Sequence, residues 1–140
     1  MDRYSARLMT TGQGLPQPPS SWEGSTPEWA FYASLAQLGY HDGVDFTYQS
    51  EQMGGRLDKG GAILDFLFTN PPNLAVNVQG VYYHYEFGAD TKARDIMIRE
   101  AMAAQGITLI FVDEDDLEQD PIGVARNALQ FRDTSRLGGR

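Results

Sequence analysis

The chain of 140 residues has room for one domain around one hydrophobic core, and its 41% hydrophobic and 11% aromatic content is too high for a disordered segment. It has no cysteine, which excludes disulfides and thiolate zinc sites, and its net charge of −8 argues against tight non-specific binding to duplex DNA. No run approaches the roughly 18 apolar residues that cross a membrane, and the first residues lack a signal-peptide stretch, so neither a membrane partner nor secretion by that route is expected.

Residues 1–25 are rich in Ser, Gly, Pro, Gln and Thr without an apolar period, and Gly14 to Pro19 reads as extended or polyproline-like. They are expected to form a flexible arm, a handle for a protein partner or a second copy of the chain. Thr26-Pro27-Glu28 is a helix start: Thr26 can cap, Pro27 suits the first helical position, and Glu28 complements the positive end of the helix dipole. Phe31, Leu35 and Leu38 follow at helical spacing and Gly39 ends the segment. Phe46 and Tyr48 alternate with Thr47 and Gln49 as a short strand. Gly54-Gly55 and Gly60-Gly61 bracket a turn region before Ala62–Phe68, a central strand, and Pro71-Pro72-Asn73 turns the chain into a third strand, Leu74–Gln79.

Residues 90–105 form the clearest helix, with Asp90 as its cap, Ala93, Met97, Ala101 and Ala104 on one face and Gly106 as its stop. Lys92, Arg94 and Arg99 interleave with Asp95 and Glu100, the pattern of a solvated helix face. Ile107–Val112 is a continuous apolar run, hence a buried strand. Six of the 19 acidic residues then lie between Asp113 and Asp120 and read as a solvated loop, so most of the excess negative charge is local. Asp120-Pro121 opens a last helix to about Phe131, and residues 133–140 read as a tail. The order α-β-β-β-α-β-α predicts an α+β fold with a mixed central sheet flanked by helices.

Asp65 stands out because Ile63, Leu64 and Phe66 surround it, and a carboxylate among apolar neighbours needs a metal or a hydrogen-bonding partner. It serves either as a ligand for a hard cation, which takes oxygen donors, or as an acceptor for backbone groups at a strand end. Gln79 has the same two readings, facing a site or bonding a neighbouring strand. Glu28 is already explained as a first-turn acid, and His84 lies in the aromatic run Tyr82, Tyr83, Tyr85, whose rings either stack on bases or pack in the core.

Pro27-Glu28 on a first helix, Asp65-Phe66 on a strand, Asn77-Val78-Gln79-Gly80 on the next, then Tyr82-Tyr83-His84, Asp90 and a strand entering Glu114-Asp115-Asp116-Leu117 together resemble the PD-(D/E)XK nuclease superfamily. Within it the chain is most similar to the Vsr-like (very-short-patch-repair) endonucleases and their homing-endonuclease and phage relatives. The resemblance implies a restriction-endonuclease-like αβββαβ core over residues 26–132 and hydrolysis of DNA phosphodiesters with Mg or Mn. It makes Asp65 the metal ligand, Glu28 a supporting acid and the Val78 backbone carbonyl a further ligand. It sets Gln79 where the superfamily has lysine and the repair branch histidine, and makes His84 an acid near the leaving group. Two departures follow: Asn77 replaces the usual second carboxylate, as also happens in the repair branch, and an amide at 79 can orient water but cannot take its proton. The repair branch's structural zinc is not expected here. Two functions compete, a metal-dependent endonuclease or nickase acting on DNA, and a catalytically degenerate nuclease fold serving as a structural or interaction subunit. Either would act in the cytoplasm or within a phage particle.

Overall fold

The structure, a computed structural model, describes residues 15–48, 57–59, 62–80 and 89–138. Helix α1 spans Thr26–Gln37, and its cap is Ser25 rather than Thr26: the Ser25 hydroxyl accepts from the Glu28 N–H at 3.2 Å. Gly39, at φ +91°, carries the chain out of the helix through a conformation other residues rarely adopt. Trp29, Phe31, Tyr32, Ala33, Ser34 and Leu35 are all buried, so α1 is enclosed on nearly every side.

Among the described residues six short strands follow: β1 (Phe46–Tyr48), β2 (Leu57–Lys59), β3 (Ala62–Leu64), β4 (Phe66–Phe68), β5 (Leu74–Gln79) and, after helix α2 (Ala89–Ala104), β6 (Thr108–Asp113). The expected single strand Ala62–Phe68 is in fact two. β3 pairs with β2 in a separate hairpin, whereas β4 joins a four-stranded sheet of order β1-β4-β5-β6. The break falls at Asp65. Within the sheet β1, β4 and β5 are antiparallel, and β5 and β6 are parallel with Gln79 opposite Asp113, α2 being the crossover. This mixed sheet flanked by helices agrees with the α+β expectation.

Alternation along the strands divides the core between the two faces. Phe46, Tyr48, Phe66, Phe68, Leu74, Val76, Ile110 and Val112 pack with α1 and with helix α4 (Pro121–Leu129). Leu64, Ala75, Leu109 and Phe111 pack on the opposite face with Met102 of α2 and with Leu137. Aromatic pairs knit the first face, among them Phe31 with Phe66 (4.9 Å between centroids) and Trp22 stacked on Tyr48 (4.9 Å), each adding about 0.5–1.5 kcal/mol beyond burial.

Four further stretches differ from expectation. Residues 15–25 are packed rather than loose: Trp22 and Leu15 lie against the core, and the Trp29 indole donates to the Pro16 carbonyl at 2.8 Å. Residues 1–14 of the expected arm fall outside the described residues. On α2, Ala93, Met97, Ala101 and Ala104 are exposed, Met97 to 70%, while Met102 is buried and Ile96 and Ile98 pack on the sheet. Alanine is compatible with either face, so three of the four positions carried little directional information. The acidic run is not a loop: Asp113 ends β6 and Glu114–Gln119 form a short helix, α3, whose Leu117 is buried. At the C-terminus a 3-10 turn (Arg136–Gly138) buries Leu137, and Asp133 accepts from the Phe111 N–H at 2.9 Å, covering the outer edge of β6. Among the described residues no helix is long and apolar enough to cross a membrane.

Candidate functional site

The interruption between β3 and β4 builds the candidate site. Extending the register in which Phe66 faces Val76 would set Asp65 opposite Asn77, but there side chains replace the ladder. The Asn77 Oδ1 accepts from the Asp65 N–H at 2.8 Å, and the Asp65 Oδ2 accepts from the Val78 N–H at 2.9 Å. Each side chain thus satisfies a backbone donor that the broken strand pairing leaves behind. Both residues are half-buried, which leaves Asp65 in contact with water beside its apolar neighbours. Asp65, Asn77 and Val78 are therefore brought together.

Gln79 is 2% exposed, and its Oε1 has no hydrogen-bond partner among the described residues. A buried acceptor without a donor is destabilising by about 1–3 kcal/mol. Gln79, expected to orient water, is thus buried, and orienting an attacking water requires contact with it. Following Ala75 and Asn77 on the strand, Gln79 turns to the α2 face, beside Asp113 of β6.

Glu28 is held elsewhere. Its Oε1 accepts a short hydrogen bond from the hydroxyl of Tyr48, a fully buried residue on the α1 face. Gly24 closes over this pair, because a Cβ there would lie 2.0 Å from the Tyr48 hydroxyl and 2.9 Å from Glu28 Oε1. Tyr48 pairs in register with Phe66, the residue after Asp65. His84 lies outside the described residues, as do Tyr82, Tyr83, Tyr85 and the paired glycines at 54–55 and 60–61.

The acidic run, read from sequence as solvated, contains a second cluster. Carboxylate oxygens of Asp113, Asp115 and Asp116 lie within 4.8 Å of one another, with Asp113 wholly buried. Arg136 spans it, bonding Asp113 at 3.0 Å and Asp115 at 2.8 and 3.1 Å, while its backbone N–H donates to Asp113 at 3.0 Å. The hydrogen bond and charge of Asp115, followed by the charge of Asp113, raise the Arg136 pKa above the ordinary arginine value, so the guanidinium is always charged. A metal ion there would have to displace it. The run of acids was visible in the sequence, but its partner, 21 to 23 residues further on, was not. A shallow cavity of about 330 Å³ lies on the same side, between α2, β6 and the C-terminal turn, lined by Arg99, Leu109, Asp133 and Leu137 among others.

Comparison with protein-family models, with curated proteins and with solved structures finds no match to this chain.

Proposed function

We propose that this chain is a metal-dependent DNA endonuclease or nickase of the PD-(D/E)XK type, with Asp65 as its metal ligand. The observation that supports this reading is the meeting of Asp65, Asn77 and Val78 at the break between β3 and β4, on neighbouring antiparallel strands, with Asp65 half-exposed. The donor set suits a hard cation, since a carboxylate and a backbone carbonyl offer oxygen. With one carboxylate, the affinity expected for Mg²⁺ or Mn²⁺ is weak. Such an ion, when bound, polarises a phosphate oxygen and acidifies a water. The chain's own contribution is to hold Asp65 at a fixed point of the sheet. Gln79, sealed from solvent, neither takes a proton nor orients water in this reading, and the resemblance gives His84 the role of an acid near the leaving group.

A second reading is favoured by the burial of Gln79 and by the tyrosine that occupies Glu28. In it the fold is catalytically degenerate and serves as an interaction or structural subunit, in a phage particle or a DNA-processing complex. Nicking of supercoiled plasmid in Mg²⁺ and Mn²⁺ separates the two. The first reading expects metal-dependent nicking that Asp65→Ala abolishes. Nicking that survives Asp65→Ala overturns the assignment, and Mn²⁺ binding without cleavage selects the degenerate subunit.

A further inference from the structure

Asn77 stands where a nuclease of this type would carry a second carboxylate, and the geometry gives that amide a task. Its Oδ1 takes the Asp65 N–H while the Asp65 carboxylate takes the Val78 N–H, so the two side chains lock each other's strand at the break. A carboxylate at 77 could accept the same hydrogen bond, but it would set two like charges at adjacent positions, an arrangement that is unfavourable unless a cation lies between them. The sequences of β4, Phe-Leu-Phe, and β5, Leu-Ala-Val-Asn-Val-Gln, contain no acidic residue, so Asp65 has no like-charged neighbour on either strand.

We propose that Asn77 is the positioning residue of this site: it holds Asp65 at the strand break with no cation present, in a place where a second carboxylate would need one. This rests on the metal-site reading above and extends it, because the ligand is then set before the metal arrives. The consequence is a site whose geometry does not depend on metal.

The test uses the full chain and three variants, Asn77→Leu, Asn77→Asp and Asp65→Asn. Amide hydrogen exchange at Asp65 and Val78 is followed in EDTA and in Mg²⁺, with thermal unfolding in both and a Mn²⁺ titration. In the wild type, protection at both amides is the same with and without metal. Asn77→Leu is expected to lower protection at the Asp65 amide about tenfold, to spare the Phe66–Val76 pairing, and to weaken Mn²⁺ binding to the level of Asp65→Asn. Asn77→Asp, which changes only one atom, is expected to melt below the wild type in EDTA and to recover in Mg²⁺. An Asp65 amide equally protected in Asn77→Leu, or an Asn77→Asp protein as stable as the wild type in EDTA, overturns the proposal. If Asn77→Leu loses the protection and Asn77→Asp is destabilised without rescue by Mg²⁺, the positioning role stands and the metal-site reading falls.

Discussion

Replacing Arg136 by methionine keeps most of the side-chain volume and removes the charge that balances Asp113 and Asp115. The two carboxylates respond differently. Asp115 is 44% exposed and Arg136 37% exposed at the side chain, so this arm is a surface ion pair contributing about 0.2–1 kcal/mol. Asp113 is wholly buried, and without the guanidinium its carboxylate keeps the Arg136 backbone N–H at 3.0 Å but loses its balancing charge. Unpairing a buried charge is destabilising by about 3–5 kcal/mol. The partial exposure of Arg136 lets water enter the gap, which lowers the expected total to about 2–3 kcal/mol. For a chain of 140 residues, with about 4 °C of melting temperature per kcal/mol, the shift is about 8–12 °C. Thermal unfolding by circular dichroism at neutral pH measures it, in low and high salt and in a double-mutant cycle with Asp113→Asn and Asp115→Asn. High salt should erase the Asp115 coupling and leave most of the Asp113 coupling. A shift below about 2 °C, or an equal loss in the Asp113→Asn background, refutes the argument that a buried carboxylate anchors the C-terminal turn.

Two further changes probe the core by the same melting assay. Gln79→Met replaces a buried acceptor without a donor by an apolar chain of similar length, so a gain of about 1 kcal/mol, roughly 4 °C, is expected; a loss of stability would mean that the amide has a partner in solution. Gly24→Ala places a methyl 2.0 Å from the Tyr48 hydroxyl and is expected to lose about 2 kcal/mol or more, part of which Tyr48→Phe restores in the double variant. Additive losses in the double variant would exclude that close approach.

Local rules carried a large part of the fold. The apolar runs Leu74–Val76 and Leu109–Val112 became the buried parallel pair because nothing in them is stable against water. Asp120 caps α4 as expected, accepting from the Gly123 N–H at 3.0 Å, and Gly39 and Gly106 sit at the positive φ that ends a helix. At the candidate site the sequence singled out Asp65 by its apolar neighbours, which alone signal that a carboxylate must find a partner. Both readings of Asp65 were available from sequence, and the backbone-acceptor role is the one visible in its hydrogen bond to Val78.

What required the tertiary structure was every relation between distant segments. No periodicity reveals that Ala62–Phe68 divides at Asp65, because the division arises where the chain leaves β3, paired with β2, and enters β4, paired with β1 and β5. A polar, proline-rich composition concealed Trp22, whose burial depends on Tyr48 and Trp29 being there to receive it. The acids at 113–116 looked solvated because their counterion is an arginine that only the path of the C-terminal turn brings across them. The sequence by itself located the longer helices and strands, α3 and β2 excepted, since propensity, capping and apolar period act over a few residues. Only the tertiary structure decided which polar groups are sealed and which face water, because that depends on partners 12 to 23 residues away, as for Asp65 with Asn77 and Asp113 with Arg136.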